Sequence, residues 1–268
     1  MTKKHFTVLI QTLNKRAVMH MAFLACLVIM LGLLNTTAAA REQEKLDRAD
    51  LLYAEGSMDS LKQSVTLYKQ IARQHPDSYE AFWKASRSCR VITRMAVIGE
   101  LDDAEKVGES FGKQGMELAQ KAIALEPEKV EGHLYYAVNV GGYAKGASIW
   151  AILSQGLKDK AHKHLKKAYD IDRQYDGFVL LMHMGLYYEV LPWYAGQDKG
   201  KALEHYREAL RLMPEKSPYR TQLHILAGKL MLDQGVEKDK AKRLLREAAA
   251  SDSSYFSSMA SEILAEQG

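Results

Sequence analysis

The chain has 268 residues, with 37 Lys and Arg against 33 Asp and Glu, a formal net charge of +4 and only two cysteines. That length suits one elongated domain or one to two compact ones. Two cysteines exclude a disulfide-rich scaffold, and so slight a charge excess excludes a strongly basic, nucleic-acid-binding class.

The amino terminus reads as an export signal. Lys3, Lys4, Lys15 and Arg16 precede an uncharged run over residues 17–40, whose most apolar part is AFLACLVIMLGLL, residues 22–34. The run closes on Thr37-Ala38-Ala39-Ala40, with small residues at −3 and −1, so the expected outcome is a signal peptide cleaved after Ala40. Uncut, the run is long enough to span a bilayer as an anchor to the inner membrane. Lys15 and Arg16 keep the amino terminus inside on either reading and export the rest, to the periplasm. Cys26 opens a third route, lipid attachment, although most of the apolar segment follows it. Residues 1–40 hold four basic and no acidic side chains, which leaves 33 of each sign in residues 41–268. That neutral portion calls for neither nucleic acid nor an anionic membrane as partner. It keeps Cys89 alone, so its own core must hold it together.

Residues 41–268 read as helices throughout, with three-and-four spaced apolar positions and no convincing period-two run. A pattern recurs along them. Ser64, Tyr68, Ile71 and Pro76 stand at offsets 0, 4, 7 and 12, as do Gly115, Ala119, Ala122 and Pro127. Further copies are Ala161, Leu165, Ala168 and Arg173; Ala202, Tyr206, Ala209 and Pro214; and Ala241, Leu245, Ala248 and Ser253. A small residue at offset 0 lets two helices approach, a large one at offset 4 fills the groove, and a small one at offset 7 admits the next hairpin. Proline at offset 12 ends the segment. This resembles the second helix and closing proline of the tetratricopeptide repeat (TPR). The expected fold is all-α: about five TPR-like hairpins in a superhelical array, closed by a capping helix with Phe256, Met259, Ile263 and Leu264 on its apolar stripe.

The repeat is too long. Closing positions 76, 127, 173, 214 and 253 lie 51, 46, 41 and 39 apart, against about 34 in the standard unit. The extra residues fall at 91–110, 139–160 and 191–200, between the helices of successive hairpins, and should gather at one end of the stack as a binding face. Two of these segments combine rings with helix breakers: YYAVNVGGYAKGASIW over residues 135–150, and GLYYEVLPWYAG over residues 185–196. Their rings either fill the core or line a cavity whose polar groups fix a ligand. The candidate binding residues are Arg87, Asn139, Tyr143, Lys145, Trp150, Tyr187, Tyr188 and Trp193.

Catalytic patterns are missing. There is no HExxH, no GxSxG and no phosphate-cradling loop. His162 and His164, two apart on a helix, point away from each other and suit no metal. Cys89 sits in an apolar helical face, where a buried, inert thiol is expected. The expectation is a non-enzyme without cofactor or metal.

The aromatic–glycine segment LYYAVNVGGYAKGASIW, the helix LKDKAHKHLKKAYDID and the stretch from residue 176 to 215 resemble the TPR proteins associated with TRAP transporters, their T component. That resemblance covers roughly residues 50–235. It implies a periplasmic scaffold that encloses a small organic ligand between helices and works beside the solute-binding subunit of the transporter. The closing proline replaced by Arg173 and the weak lipid signal at Cys26 depart from the family pattern. The middle of the sequence also resembles the eukaryotic regulators of microtubule dynamics, a setting the export-type leader argues against. A cell-envelope adaptor for a protein or peptide is the alternative function, with the first helices presenting residues to an extended chain.

Overall fold

The computed structural model describes residues 40–99 and 101–266. Residues 1–39, on which the export-signal reading of residues 1–40 and Cys26 fall, lie outside the described residues. The chain divides into two units, residues 1–51 and 52–268. Residues 40–55 are helical and are termed α1 here. The second unit continues through α2 (Met58–Gln74), α3 (Tyr79–Ile98), α4 (Ala104–Leu125), α5 (Val130–Tyr143), α6 (Ile149–Ser154), α7 (Leu157–Ile171) and α8 (Tyr175–Val190). A 3-10 turn (Trp193–Ala195) leads to α9 (Lys199–Leu212), α10 (Arg220–Asp233), α11 (Lys238–Ala249) and α12 (Ser254–Ala265). Among the described residues there is no strand, and no helix is long and apolar enough to cross a membrane.

The hairpins are α3/α4, α5/α7, α8/α9 and α10/α11, with α2 packed on α3 and α12 on α11. The offset pattern explains why. All fifteen residues at offsets 0, 4 and 7 are buried in the five copies. Close approach is visible where small residues meet large ones. A Cβ on Gly185 of α8 would lie 2.4 Å from the Tyr206 ring, and one on Gly228 of α10 would lie 2.9 Å from Leu245 Cγ. In both hairpins a glycine of the first helix receives the large offset-4 residue of the second. Pro76, Pro127 and Pro214 each stand two residues past the end of their helix, where the ring no longer removes a helical hydrogen bond.

Helix starts are capped by side chains where the chain turns sharply. Ser57 accepts from Ser60 N at 3.1 Å, Ser148 from Ala151 N at 3.2 Å and Asp198 from Lys201 N at 2.9 Å. Each satisfies an amide that the helix leaves without a partner. Ser78 occupies the N-cap of α3 without making such a bond.

The surplus length of the repeats is spent differently from the expectation. Residues 91–110 form no inserted loop; they extend α3 to 20 residues and α4 to 22, leaving a short link between Ile98 and Ala104. Only 139–160 and 191–200 add separate pieces, α6 and the 3-10 turn. The three segments nevertheless meet. Gly108 of α4 faces the carbonyl of Gly142, Gly142 faces Thr93 of α3, and residues 190–192 share a cavity with Gly141 and α6.

Candidate ligand cavity

Helix α3 carries Arg87, Arg90 and Arg94 at spacings of three and four, which puts them on one face. Arg87 lies over two rings, 3.7 Å from the Tyr53 centroid and 5.0 Å from that of Trp83. Trp83 in turn stacks on Tyr135 of α5 at 5.9 Å and 9°. Such cation–π contact fixes a guanidinium without neutralising it.

Arg90 and Arg94 are different. Among the described residues no carboxylate pairs with either. Burial, then the charge of Arg94, holds Arg90 down at about 10. The same two cations face His183 of α8, whose pKa is pushed down to about 3, first by burial and then by Arg90 and Arg94. His183 is therefore a neutral imidazole at any ordinary pH, and the local field is positive.

Three cavities converge on Arg90. One of about 110 Å³ runs past Tyr53, Arg87, Arg94, Tyr135, His183 and Gln222. A second of about 250 Å³ is bounded by Arg94, Lys145, Gln222 and, from α12, Phe256 and Met259. The third, about 180 Å³, is almost wholly apolar: Val138, Val140, Ile152, Leu165, Leu186, Tyr187 and Pro192 line it, with Arg90 and His183 among its few polar walls. An apolar cavity of about 150 Å³ accepts a benzene-sized group, so this arm has room for an apolar moiety. Cationic groups converging on an apolar recess are the pattern of a small-molecule site.

The eight residues picked from the sequence scatter across this arrangement. Arg87 lines the first cavity, Lys145 the second and Tyr187 the apolar arm. Tyr188 sits beside it, with its hydroxyl 3.1 Å from His162 Nε2, its ring stacked on His205 and Lys201 above the ring at 5.4 Å. Tyr143 is buried in the core. Asn139 is wholly buried: its Nδ2 shares its two hydrogens among Ser86 O, Ser86 Oγ and Tyr135 O, its Oδ1 has no hydrogen-bond partner, and it occupies the space left by the missing side chain of Gly115. Its role is to tie α3, α4 and α5 together. Trp150 and Trp193 lie outside the core and line none of these three cavities, being 75% and 83% exposed.

Sequence reasoning missed Arg90, Arg94 and His183. The i, i+3, i+7 arginine spacing was a usable signal for the first two, since it forms a cationic stripe on a helix whose other face is apolar. Cys89 is fully buried, and burial pushes its thiol up to about 12. His162 and His164 do turn to separate neighbours, Tyr187 and His133.

Stacked hairpins with small, large and small residues at fixed offsets, folded around an interior cavity, define an irregular TPR-like helical repeat protein. Among solved structures the chain is similar to TTC0263, a TPR protein of Thermus thermophilus, with a TM-score of 0.59, 20% identity and coverage of 83% of this chain and 98% of that one. It is also similar to pilF of Pseudomonas aeruginosa, with a TM-score of 0.51, 14% identity and coverage of 81% and 78%. At such identities the likeness is one of fold.

Residues 45–193 match the family described as regulator of microtubule dynamics protein 1-3, and the chain belongs to that family. Regulator of microtubule dynamics protein 1 of Pongo abelii is 24% identical over 158 residues, 59% of this chain and 46% of the relative. The Mus musculus protein of the same name is 25% identical over 161 residues, 59% and 48%. The chain thus spans about half the length of the curated relatives it matches. The matched region contains α2–α8, and with them Arg90, Arg94, His183 and the apolar arm.

Proposed function

We propose that this chain is a non-catalytic TPR-type scaffold that takes a small amphipathic organic anion into the cavity around Arg90. In this reading it acts in the periplasm, exported by its leader, and associates with a TRAP-type transport system. One observation carries the ligand reading: a guanidinium common to three cavities, without a carboxylate partner among the described residues, lines an apolar recess. A half-buried guanidinium with no carboxylate partner among the described residues favours an anion that can pair with it. The recess supplies a place for the anion's apolar part.

The test is calorimetric titration of the protein with octanoate and octyl phosphate beside octanol. Both anions should bind and the alcohol should not. Arg90→Met keeps the side-chain stem and removes the charge; one charge-assisted hydrogen bond contributes about 1.5–3 kcal/mol, so affinity should fall about tenfold or more. Equal binding of the alcohol, or an unchanged affinity in Arg90→Met, overturns the ligand reading. Native mass spectrometry of protein purified from the envelope reads mature mass, subunit count and retained ligand together. Co-purification with a solute-binding subunit tests the transport association.

The second reading is a protein or peptide adaptor. The wall formed by Tyr53, Trp83, Arg87 and Tyr135 favours it, because stacked rings and a pinned guanidinium suit an extended chain. Pull-down from envelope extract with Arg87→Ala and Arg90→Met separates the two: loss of a protein partner in the first variant alone supports the adaptor.

A further inference from the structure

Resting on the anion reading above, we infer that the ligand's headgroup carries two negative charges and that Arg94 selects for the second. Arg90 and Arg94 stand one turn apart on α3, so their Cβ atoms leave the same face about 5–6 Å apart. Both border the cavity of about 110 Å³ and the cavity of about 250 Å³, and Gln222 of α10 borders the same two. The apolar arm reaches Arg90 but not Arg94. Arg90 is half-buried, and Arg94 is exposed. A ligand with its tail in the arm therefore meets Arg90 first and Arg94 one turn nearer the solvent.

The surrounding charges leave both cations to the ligand. Among the described residues no carboxylate borders any of the three cavities. Arg90 and Arg94, and no acidic group, act on the imidazole of His183. The other cations nearby are engaged elsewhere. Lys158 pairs with Asp159 at 3.0 Å and Arg220 with Glu215 at 3.8 Å. Arg87 lies over the rings of Tyr53 and Trp83. Lys145 abuts α4 near its start, where Asp102, Asp103, Glu105 and Glu109 outnumber Lys106. Glu189 of α8 accepts from the Tyr206 hydroxyl of α9 at 2.5 Å. Like charges one turn apart on a helix repel, and after burial it is Arg94 that lowers Arg90. A single negative charge satisfies one guanidinium and leaves the other bare. Two on one headgroup satisfy both and remove the repulsion. A phosphate monoester or a geminal dicarboxylate has acceptor oxygens enough for two guanidiniums and for the Gln222 amide.

Calorimetric titration of the full-length protein at pH 8 compares octyl phosphate and octylmalonate with octyl sulfate and octanoate. A phosphate monoester carries about two charges at that pH, whereas octyl sulfate keeps the tetrahedral headgroup with a single charge. Both dianions should bind about tenfold more tightly than both monoanions, the scale of one further charge-assisted hydrogen bond. Arg94→Gln should bring that ratio down to about one. Arg94→Lys, which keeps the charge but not the planar fork, should retain part of it. Inorganic phosphate should bind more weakly than octyl phosphate, since it leaves the arm empty. A preference confined to one of the two dianions supports the inference and names the source of the charge, ester or dicarboxylate. Equal affinity for octyl sulfate and octyl phosphate, a ratio unchanged in Arg94→Gln, or inorganic phosphate binding as tightly as octyl phosphate overturns it. Octanoate binding that Arg90→Met weakens would still uphold the anion reading in those cases; if no anion binds, that reading falls as well.

Discussion

Gly146 lies so close to Glu105 that a Cβ built on it would stand 1.9 Å from the Glu105 carbonyl oxygen. The same closeness recurs down the α4–α5 seam, where a Cβ on Gly112 would stand 2.4 Å from the amide nitrogen of Tyr143. The atoms met are backbone, which cannot rotate away. Gly141, next to these in sequence, would meet nothing within 4 Å. The glycines of the aromatic segment therefore have two different reasons to be there.

Gly112→Ala and Gly146→Ala should each destabilise, by about 1–3 kcal/mol as for other overpacked sites. Gly141→Ala in the last turn of α5 should be neutral or raise stability by about 0.5–1 kcal/mol, the helix-propensity difference between the two residues. Chemical denaturation of the three variants checks this. Equal midpoints for all three would show that the seam relaxes without cost.

Much of this architecture was legible beforehand, for a physical reason. The offset residues touch their own hairpin, and contacts governed by a 3.6-residue period survive without knowledge of neighbours. Leu165, Tyr206 and Leu245 are buried because their helices run unbroken through them. The period fails where helices end. Past Tyr143 the chain turns and restarts at Ile149, so the facing of Trp150 does not follow from that of Tyr136. Pro192 resets Trp193 in the same way. Asn139 read as a ligand group because its partner, Ser86, lies 53 residues away and its resting place depends on Gly115 of another helix. Arg90 reads as an ordinary surface arginine until α5, α8 and α10 are placed around it.

The open space at Gly141 makes it a handle on the apolar arm. Gly141 lines that cavity, so Gly141→Leu should put a branched side chain into the recess with little strain. Octanoate affinity should fall about tenfold, while the thermal midpoint stays within a few degrees of the parent. Acetate, which needs only the cation, should bind both proteins alike. A Gly141→Leu variant that binds octanoate normally would place the apolar part of the ligand elsewhere.

The imidazole pair between α5 and α7 makes stability depend on pH. His133 Nε2 lies 2.9 Å from the Pro127 carbonyl, so it carries a proton and donates. His133 Nδ1 is then the acceptor for His164 Nδ1–H at 2.7 Å, an assignment forced by the network. Burial first, and then the neighbouring His133 and Lys163, push the His164 pKa from 6.5 down to about 4. In the folded state that group stays neutral over a range where the unfolded chain takes up a proton. Its stabilising effect is complete above pH 6.5 and is lost as pH falls toward 4. Allowing for partial exposure, the loss is about 2 kcal/mol. His183, pushed down to about 3, adds a loss of the same sign. Thermal melts between pH 7 and 4 should show a falling midpoint, and His164→Gln should flatten that profile; an unchanged slope would mean that other groups govern it.

Helix α12 closes the stack and also walls a cavity. Ala260 is fully buried, while Phe256, Met259, Ile263 and Leu264 pack partly against the core. Phe256 and Met259 face the space that leads to Arg94 and Lys145. Ser253 caps the helix by accepting from Phe256 N, and Ser257 Oγ donates to the Ala249 carbonyl at 2.6 Å, which fastens the helix to the end of α11. Ending the chain at Ser253 should therefore do two separable things. Exposed apolar surface on α10 and α11 should promote aggregation, seen as a shift to larger species in light scattering. Opening the cavity near Arg94 should speed release of a bound anion, seen by stopped flow in whatever fraction remains monomeric. A soluble, monomeric truncation with an unaltered release rate would show that α12 is neither cap nor wall.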